Sequence, residues 1–327
     1  MRQPTVSVIL LNWDGGALVV DCLRHVLAQS TPPAQIIIVD NGSRDGSPDA
    51  LAQACPDAIW VRNAANRGYA AGMNQGLGVA DGELCLLLNQ DVLLAPGYLA
   101  EASAAMNSDG RTGMVGGKIL RLVDGGKPDA VDSTGLFLRK TFSLANGPDE
   151  AGPVFGPSGA CPLVRRAMLE DVALAPGMYF DDGYFAFGED IDLWFRGHLR
   201  GWQCRYAPAA VAWHTHSGSL GGNVGLIDKP DAFQRHAMRN RYLTMVKDVP
   251  AGLALWLAPW LLVTELFSPF YLLSRRPQSL GNLASAWVQV LRLLPHAWRQ
   301  RRAIQGRRTV PWGELRAYFR GFMGRLP

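Results

Sequence analysis

No two of the five cysteines (Cys22, Cys55, Cys85, Cys161 and Cys204) stand as a CxxC pair, and their number is odd. That scatter argues against a disulfide framework or a cysteine-held zinc site and suits a reducing compartment. A secretory signal is also missing: Met1-Arg2-Gln3-Pro4-Thr5 runs directly into a strand-like segment, with no long apolar stretch and no small-residue cleavage site. There is no internal repeat and no low-complexity tract. From Arg275 onward there is no lysine, and a single acid, Glu314, stands against eleven arginines. That tail carries +10; the whole chain carries +4, so residues 1–274 carry −6. Two parts of opposite charge imply two physical tasks. With 48% hydrophobic and 18% charged residues over 327 positions, the chain is globular, with room for one large or two modest domains.

Short apolar runs dominate the first part. Val6–Asn12 and Gln35–Asp40 read as buried parallel strands, Ile59–Arg62 as a third and Leu84–Leu88 as a fourth. Between them, Ala17–Gln29 has helical spacing with Leu18, Cys22, Leu23, Val26 and Leu27 on one face, and Tyr69–Leu77 is small and helix-compatible. Strands alternating with helices predict a parallel α/β sheet, whose ligands bind beyond the carboxyl ends of the strands. Asn12, Asp40 and Asp91 sit at those ends. Residues 111–160, rich in Gly and Pro, predict short strands and loops. A helix is expected over Asp190–Leu199, short strands over Gln203–Tyr206 and Ala210–His214, and a basic helix over Asp231–Val246.

Residues 251–273 are nearly all apolar and long enough to span a bilayer at ~1.5 Å per residue. Pro259, Glu265 and Pro269 speak against a simple span. Beside the arginine tail, the segment reads as helices lying in the membrane interface, with Trp256 and Trp260 at headgroup level. A helical region packed on the core or on another subunit is the alternative.

Several residue groups suit chemistry, each with a plainer reading. Asp40 could accept hydrogen bonds from a base or ribose, or close an Asx turn. Asp91, after Asn89-Gln90, could hold a divalent cation together with substrate phosphates, or cap a helix beginning near Pro96. Glu189, Asp190 and Asp192 open a helix, where the dipole favours acids. Their aromatic surroundings (Tyr179, Phe180, Tyr184, Phe185, Phe187 and Trp194) would raise a carboxyl pKa toward that of a general base. His214 and His216 could bind metal or phosphate, or be satisfied polar groups.

Eight segments in order then resemble glycosyltransferase family 2, and its bacterial rhamnosyltransferase-like members in particular: VSVILLNWDG at 6–15, IIIVDNGSRDGS at 36–47, NRGYAAGMNQG at 66–76, LLLNQDV at 86–92, GPSGACPLVRR at 156–166, YFDDGYFAFGEDIDLWFR at 179–196, GWQCRYAPAAVAWHTHSGS at 201–219 and RNRYLTMV at 239–246. The resemblance covers roughly residues 5–250. It implies a GT-A fold over residues 1–248, with a nucleotide-binding half at 1–110 and an acceptor half at 111–248; the apolar run and the arginine tail make 249–327 a helical membrane-associating region. It implies that Asn12, Asp40, Asn41, Asn66, Arg67, Gly68, Asn74, Asn89 and Asp91 line the donor, with Gly68, Gly72 and Asn74 allowing close backbone approach. Asp91 would be the last residue of a DxD-like metal motif and bind Mg²⁺ or Mn²⁺ with His214. Asn89 stands where a first Asp would be and offers only a neutral oxygen. Asp190 would be the general base and Glu189 would orient it. Gly159, Ala160, Asp192 and Trp194 would face the acceptor. The expected reaction is inverting transfer from a nucleotide-diphosphate sugar, dTDP-rhamnose first among donors, to a hydroxyl of a lipid-linked or surface glycan. The expected place is the cytoplasmic face of an anionic membrane, with no nucleic-acid partner.

Two other classes compete. A sugar-nucleotide nucleotidyltransferase needs a basic glycine-rich loop after the first strand, but Asn12-Trp13-Asp14-Gly15-Gly16 has no Lys or Arg. A non-catalytic sugar-nucleotide-binding scaffold would be favoured by the reduced DxD motif and opposed by Glu189-Asp190 and His214.

Overall fold

The computed structural model describes residues 4–122, 128–215 and 226–321. Its elements in chain order are β1 (Val6–Asn12), α1 (Gly16–Leu27), β2 (Gln35–Asp40), α2 (Ser47–Ala54), β3 (Ile59–Arg62), α3 (Gly68–Val79), β4 (Leu84–Asn89), β5 (Val92–Leu94), α4 (Tyr98–Asn107), β6 (Thr112–Leu122), β7 (Pro128–Ser133), β8 (Leu136–Arg139), β9 (Leu144–Asn146), β10 (Gly152–Val154), β11 (Leu163–Arg165), α5 (Arg166–Val172), α6 (Glu189–Leu199), β12 (Gln203–His214), α7 (Asp231–Asp248), α8 (Ala251–Arg275), α9 (Ser279–Gly306) and β13 (Phe319–Arg320).

The chain divides into two compact units. The first holds residues 1–136, 146–182 and 202–222; the second holds 137–145, 183–201 and 223–327. This differs from the expected break at 248/249. The reason is packing: α6 lies on α7 and α7 lies along α9, so both helices group with the C-terminal part.

The first unit is a ten-stranded sheet in the order β10-β12-β6-β11-β4-β1-β2-β3, with β5 added to β12 and β7 to β6. β1 starts in the middle and pairs in parallel with β2 on one side and β4 on the other. The chain runs outward to β3 and then returns to β4, which makes the β1–β4 border a topological switch point. β1 and β4 read as unbroken apolar runs because neither has a wet face: Val8, Ile9, Leu10 and Leu84 to Leu88 are fully buried. α3 lies close on β1 and β2 because Gly72 and Gly76, which face them, lack a side chain. A Cβ at Gly76 would come within 2.4 Å of Ile9 Cγ2, and one at Gly72 within 2.6 Å of Leu11 Cδ1. Gly72 therefore serves the contact of helix with strand; the close approach expected of it is to protein.

The second half of the sheet is more regular than its composition predicts. β6 is eleven residues long, where short pieces were expected. β12 is one strand of twelve residues, not two. A bulge between Ala207 and Val211 carries Pro208 to Ala210 outside the ladder with β6, and that interruption reads as a break in the sequence. β5, absent from the sequence reading, intervenes between Asp91 and α4, so Asp91 does not cap that helix.

In the second unit, β13, β8 and β9 form a small sheet beside α6–α9. α8 is a single helix that continues through Pro259 and Pro269, in place of several interfacial pieces. By length and composition it is long and apolar enough to cross a bilayer, with little of it buried. Leu253 and Leu257 are buried, whereas Leu255, Leu262, Leu266, Phe267 and Phe270 are exposed. Trp256 and Trp260 do not stand free for headgroups. Both are half-buried, and the Lys140 ammonium lies 5.2 and 4.1 Å from their ring centres, a cation–π contact.

Candidate active site

The ends of β1 and β2 are in register, with Asn12 opposite Asp40. Both are buried. The Asn12 amide donates to Asp40 Oδ1 (3.1 Å), Ser43 Oγ (3.1 Å) and Ser47 Oγ (2.9 Å), and Ser43 Oγ donates to the same Asp40 oxygen at 2.6 Å. No hydrogen bond from a described residue falls on Asp40 Oδ2. The turn-rich sequence 41–47 thus supplies serines that aim the carboxylate, a task beyond helix capping.

Asn41 is placed differently from expectation. It is 1% exposed. Its oxygen accepts from Asn63 Nδ2 (3.0 Å) and the Arg67 amide (3.3 Å), and its nitrogen donates to Asn66 Oδ1 (3.2 Å) and the Gly68 carbonyl (3.1 Å). With all four hydrogen-bonding positions taken within the protein, its amide shapes the 66–68 turn. Asn74 is likewise engaged by the protein itself. Its amide grips the 179–182 segment through the amides of Tyr179 (3.0 Å) and Phe180 (2.9 Å), the Phe180 carbonyl (2.8 Å) and Asp182 Oδ1 (2.7 Å). Within the 66–68 turn, Gly68 has φ +84°, and its amide donates to Asn66 Oδ1 at 2.8 Å. The Arg67 side chain is exposed.

At the end of β4, adjacent to β1, the Asn89 backbone is held by the Ala160 carbonyl (2.9 Å), so the 158–162 segment runs past the strand end. Gly159 lies there too, its carbonyl 3.4 Å from the Tyr69 hydroxyl. The expected small-residue floor is therefore beside Asn89. Asp91 is buried, and its Oδ1 lies 3.3 Å from His214 Nε2. Pairing of β5 with β12 explains this meeting: His214 is opposite Val92, the residue next to Asp91. The other ring nitrogen, Nδ1, faces Asp132 Oδ2 at 3.5 Å. Burial lowers the imidazole pKa, but the Asp132 and Asp91 carboxylates outweigh it and lift the pKa to about 9. Among the described residues no group of three or more His, Cys, Asp and Glu forms a metal cage by itself. A divalent cation held by Asp91 and His214 would have to displace the imidazole proton that these carboxylates favour, and would draw its remaining ligands from a diphosphate. His216 lies outside the described residues.

Sequence reasoning missed three contributors. Trp13 is 50% exposed at the tip of β1. Its amide and carbonyl are both bound by the Gln90 side chain, at 2.8 and 3.2 Å, which ties the β1 loop to the β4 loop. Asp132 is the third; it lies on β7, in the Gly-rich stretch that carried no periodic signal.

In the second unit, α6 begins at Glu189 after Gly188, whose φ is +83°. Asp190 is partly exposed, with its Oδ1 on the Ile191 amide at 2.8 Å. Burial lifts its carboxyl to about 6 despite that hydrogen bond. Glu189 is buried, and burial together with the Asp190 charge holds its pKa well above the carboxylate range. Asp192 and Trp194, expected beside the acceptor, are both fully buried. The Asp192 carboxylate is taken by Lys247 Nζ (2.6 Å) and Arg196 (2.8 Å), so it is a structural anion inside the protein.

The profile of the family described as "Glycosyl transferase family 2" matches residues 7–173. An N-acetylglucosaminyl-diphospho-decaprenol L-rhamnosyltransferase of Mycobacterium tuberculosis is 26% identical over 244 residues, covering 66% of this chain and 78% of that protein. A poly-β-1,6-N-acetyl-D-glucosamine synthase of Staphylococcus aureus is 27% identical over 227 residues; the match covers 66% of this chain and about half (51%) of the synthase. Among solved structures, the mannosyltransferase PcManGT of Pyrobaculum calidifontis, in complex with GDP-Man and Mn²⁺, superposes with a TM-score of 0.53 at 20% identity, over 94% of this chain and 85% of that one. By the match over residues 7–173, just over half of its length, and on a GT-A sheet, the chain belongs to glycosyl transferase family 2.

Proposed function

We propose that this protein is an inverting, divalent-metal-dependent glycosyltransferase. It moves a sugar from a nucleotide-diphosphate donor, with dTDP-rhamnose the leading candidate, to a hydroxyl of a lipid-linked or cell-surface glycan. The observation that carries the reading is the 3.3 Å approach of Asp91 to His214 at the switch point of the sheet, next to the Asn12–Asp40 pair. Asp40 Oδ2 accepts from the base or ribose, and exposed Trp13 offers a face on which the base can stack. Asn66 and Arg67 lie along the nucleotide. Asp91 and His214 would hold the Mg²⁺ or Mn²⁺, with Asn89 beside them. When bound, the ion offsets charge gathering on the departing diphosphate. Asp190 takes the acceptor's hydroxyl proton while the acceptor oxygen bonds to the anomeric carbon from the face opposite the diphosphate. The carbon–oxygen bond to phosphate breaks, its electron pair leaves with the nucleoside diphosphate, and the centre inverts. Burial and the Asp190 charge push the Glu189 carboxyl upward, which disfavours a second negative charge at that spot. Gly159 and Ala160 leave room for the acceptor. The rhamnosyl donor rests on the mycobacterial relative's name, and the metal on the Mn²⁺ bound in PcManGT.

The test is release of nucleoside diphosphate from a panel of nucleotide-sugars by wild type and Asp91→Ala, with and without Mn²⁺. Wild type should turn over one donor in a metal-dependent way, and Asp91→Ala should lose Mn²⁺-dependent donor binding by at least tenfold, about 1.4 kcal/mol. Unchanged metal dependence in Asp91→Ala would refute its role as a ligand.

The place of action is the cytoplasmic face of the membrane. Apolar residues of α8 are exposed, and on α9 Trp287, Leu291, Leu294 and Trp298 form an exposed line with Arg292, Arg299 and Arg302 beside it. Apolar surface with arginine alongside suits anionic lipid at about 1 kcal/mol per basic residue. The full chain should float with phosphatidylglycerol-containing vesicles and be released from them by high salt; failure to bind any anionic vesicle would remove this part of the reading.

A further inference from the structure

The segment RNRYLTMV at 239–246 has no part in the chemistry above, yet it faces the residues that do. Immediately before Glu189, Phe185 and Phe187 have φ of +63° and +70°. Two bulky residues in the left-handed region are strained and persist only where surroundings impose the conformation. α7 imposes it. Asn240, fully buried, donates its amide to the carbonyls of Tyr184 (3.1 Å), Ala186 (2.9 Å) and Phe187 (2.6 Å). Its oxygen accepts from Arg239 Nε at 2.9 Å, and Arg239 Nη2 in turn donates to the carbonyls of Gly183 (3.0 Å) and Tyr184 (2.7 Å). Two adjacent side chains thus hold four consecutive-region carbonyls of one loop, Gly183, Tyr184, Ala186 and Phe187. The same face of α7 carries Phe233 against Phe187 (ring centres 4.4 Å), His236 stacked on Phe185 (5.3 Å), Thr244 on the Tyr184 hydroxyl (2.8 Å) and Lys247 on Asp192 (2.6 Å). Positions 233, 236, 240, 244 and 247 form one helical stripe.

We propose that Arg239 and Asn240 are positioning residues that, through the backbone carbonyls of 183–187, hold Phe185 and Phe187 in left-handed conformations and thereby fix where the Glu189–Asp190 pair is presented. The clamp rests on the assignment of Asp190 as the base. A loop freed from it relaxes to ordinary φ values, and the start of α6 moves with it. Donor contacts lie on other elements, so donor KM is not affected.

The experiment measures kcat and donor KM for wild type, Asn240→Ala, Asn240→Ser, Asp190→Asn and the double variant Asn240→Ala/Phe185→Gly, with melting curves for each. Asn240→Ala should lose about 10²-fold in kcat, the cost of a misplacement near 1 Å, while donor KM stays within about twofold. Asn240→Ser keeps one donor and should fall between; it carries the comparison alone if Asn240→Ala does not fold. Glycine adopts positive φ without strain, so Phe185→Gly in the Asn240→Ala background should recover part of the lost kcat, which a merely structural role of Asn240 would not allow. Wild-type kcat in both Asn240 variants, with Asp190→Asn inactive, would overturn the clamp alone. Wild-type turnover in Asp190→Asn would instead remove the base assignment and the clamp with it.

Discussion

Asp190→Asn is expected to bind donor as wild type does and to lose kcat by ~10²–10⁴-fold, the usual worth of a general base. The carboxyl qualifies by environment. Burial lifts it to about 6, so at neutral pH it is ionised and yet basic enough to take a proton from a hydroxyl that is losing it. Asparagine has the same shape and keeps an oxygen for the Ile191 amide now bonded at 2.8 Å, so α6 still starts where it does. The pH profile follows from the sign of the shift. The base works only when deprotonated, so wild-type kcat should fall on the acid side with an apparent midpoint near 6. Because Glu189 is adjacent and also raised, that midpoint belongs to the pair. In Asp190→Asn the acid limb should vanish along with most of the rate. Retention of full turnover, or of the same limb, would show that another group removes the proton.

The second large effect concerns stability. Asp192, Arg196, Lys247 and Asp248 are each 2% exposed or less. Burial alone would raise the Asp192 pKa; Lys247 and Arg196 reverse this and hold it well below the carboxylate range. Asp248 goes the other way: burial and the Asp192 charge hold it well above that range, which favours its neutral form beside Asp192. Asp192→Asn strands two buried cations, but Asp248 then ionises and replaces part of the missing charge. The double variant Asp192→Asn/Asp248→Asn has no such reserve and should lose about 3–5 kcal/mol, the cost of breaking a buried ion pair, with the single variant losing less. Denaturant melts of the two variants measure the difference; equal losses would exclude the exchange of roles. The linkage sign is that of a depressed carboxylate: the Asp192 contribution is complete above its unfolded value near ~3.9 and is lost as pH falls through its lower folded value. The cluster therefore holds at neutral and mildly acidic pH.

Much of this was legible in residue order. Strands β1, β2 and β4 coincide with apolar runs that have no alternation, because strands covered on both faces need none, whereas β3, at the sheet edge, is only partly covered. The exits of those strands located Asn12, Asp40 and Asp91, since an open parallel sheet binds ligands only there. Asn41, Asn74 and Asp192 were illegible for a common reason. Asn and Asp carry the same donor and acceptor atoms whether they meet a ligand or the protein's own backbone, and only the fold shows which partners are within 3 Å. The single strand β12 was hidden by its bulge, and Asp132 by a segment whose glycines erase period-two patterning.

What residue order determined by itself was the α/β alternation, the strand exits, the acidic helix start and the basic tail, because each is a matter of nearest neighbours along the chain. What only the tertiary structure decided was who meets whom. His214 comes to Asp91 across 123 positions because β5 and β12 pair in one register, and Asn240 comes to Phe187 because α7 lies on the start of α6. A strand register and a helix face are chosen by the burial of the whole molecule, and no local stretch of sequence contains that choice.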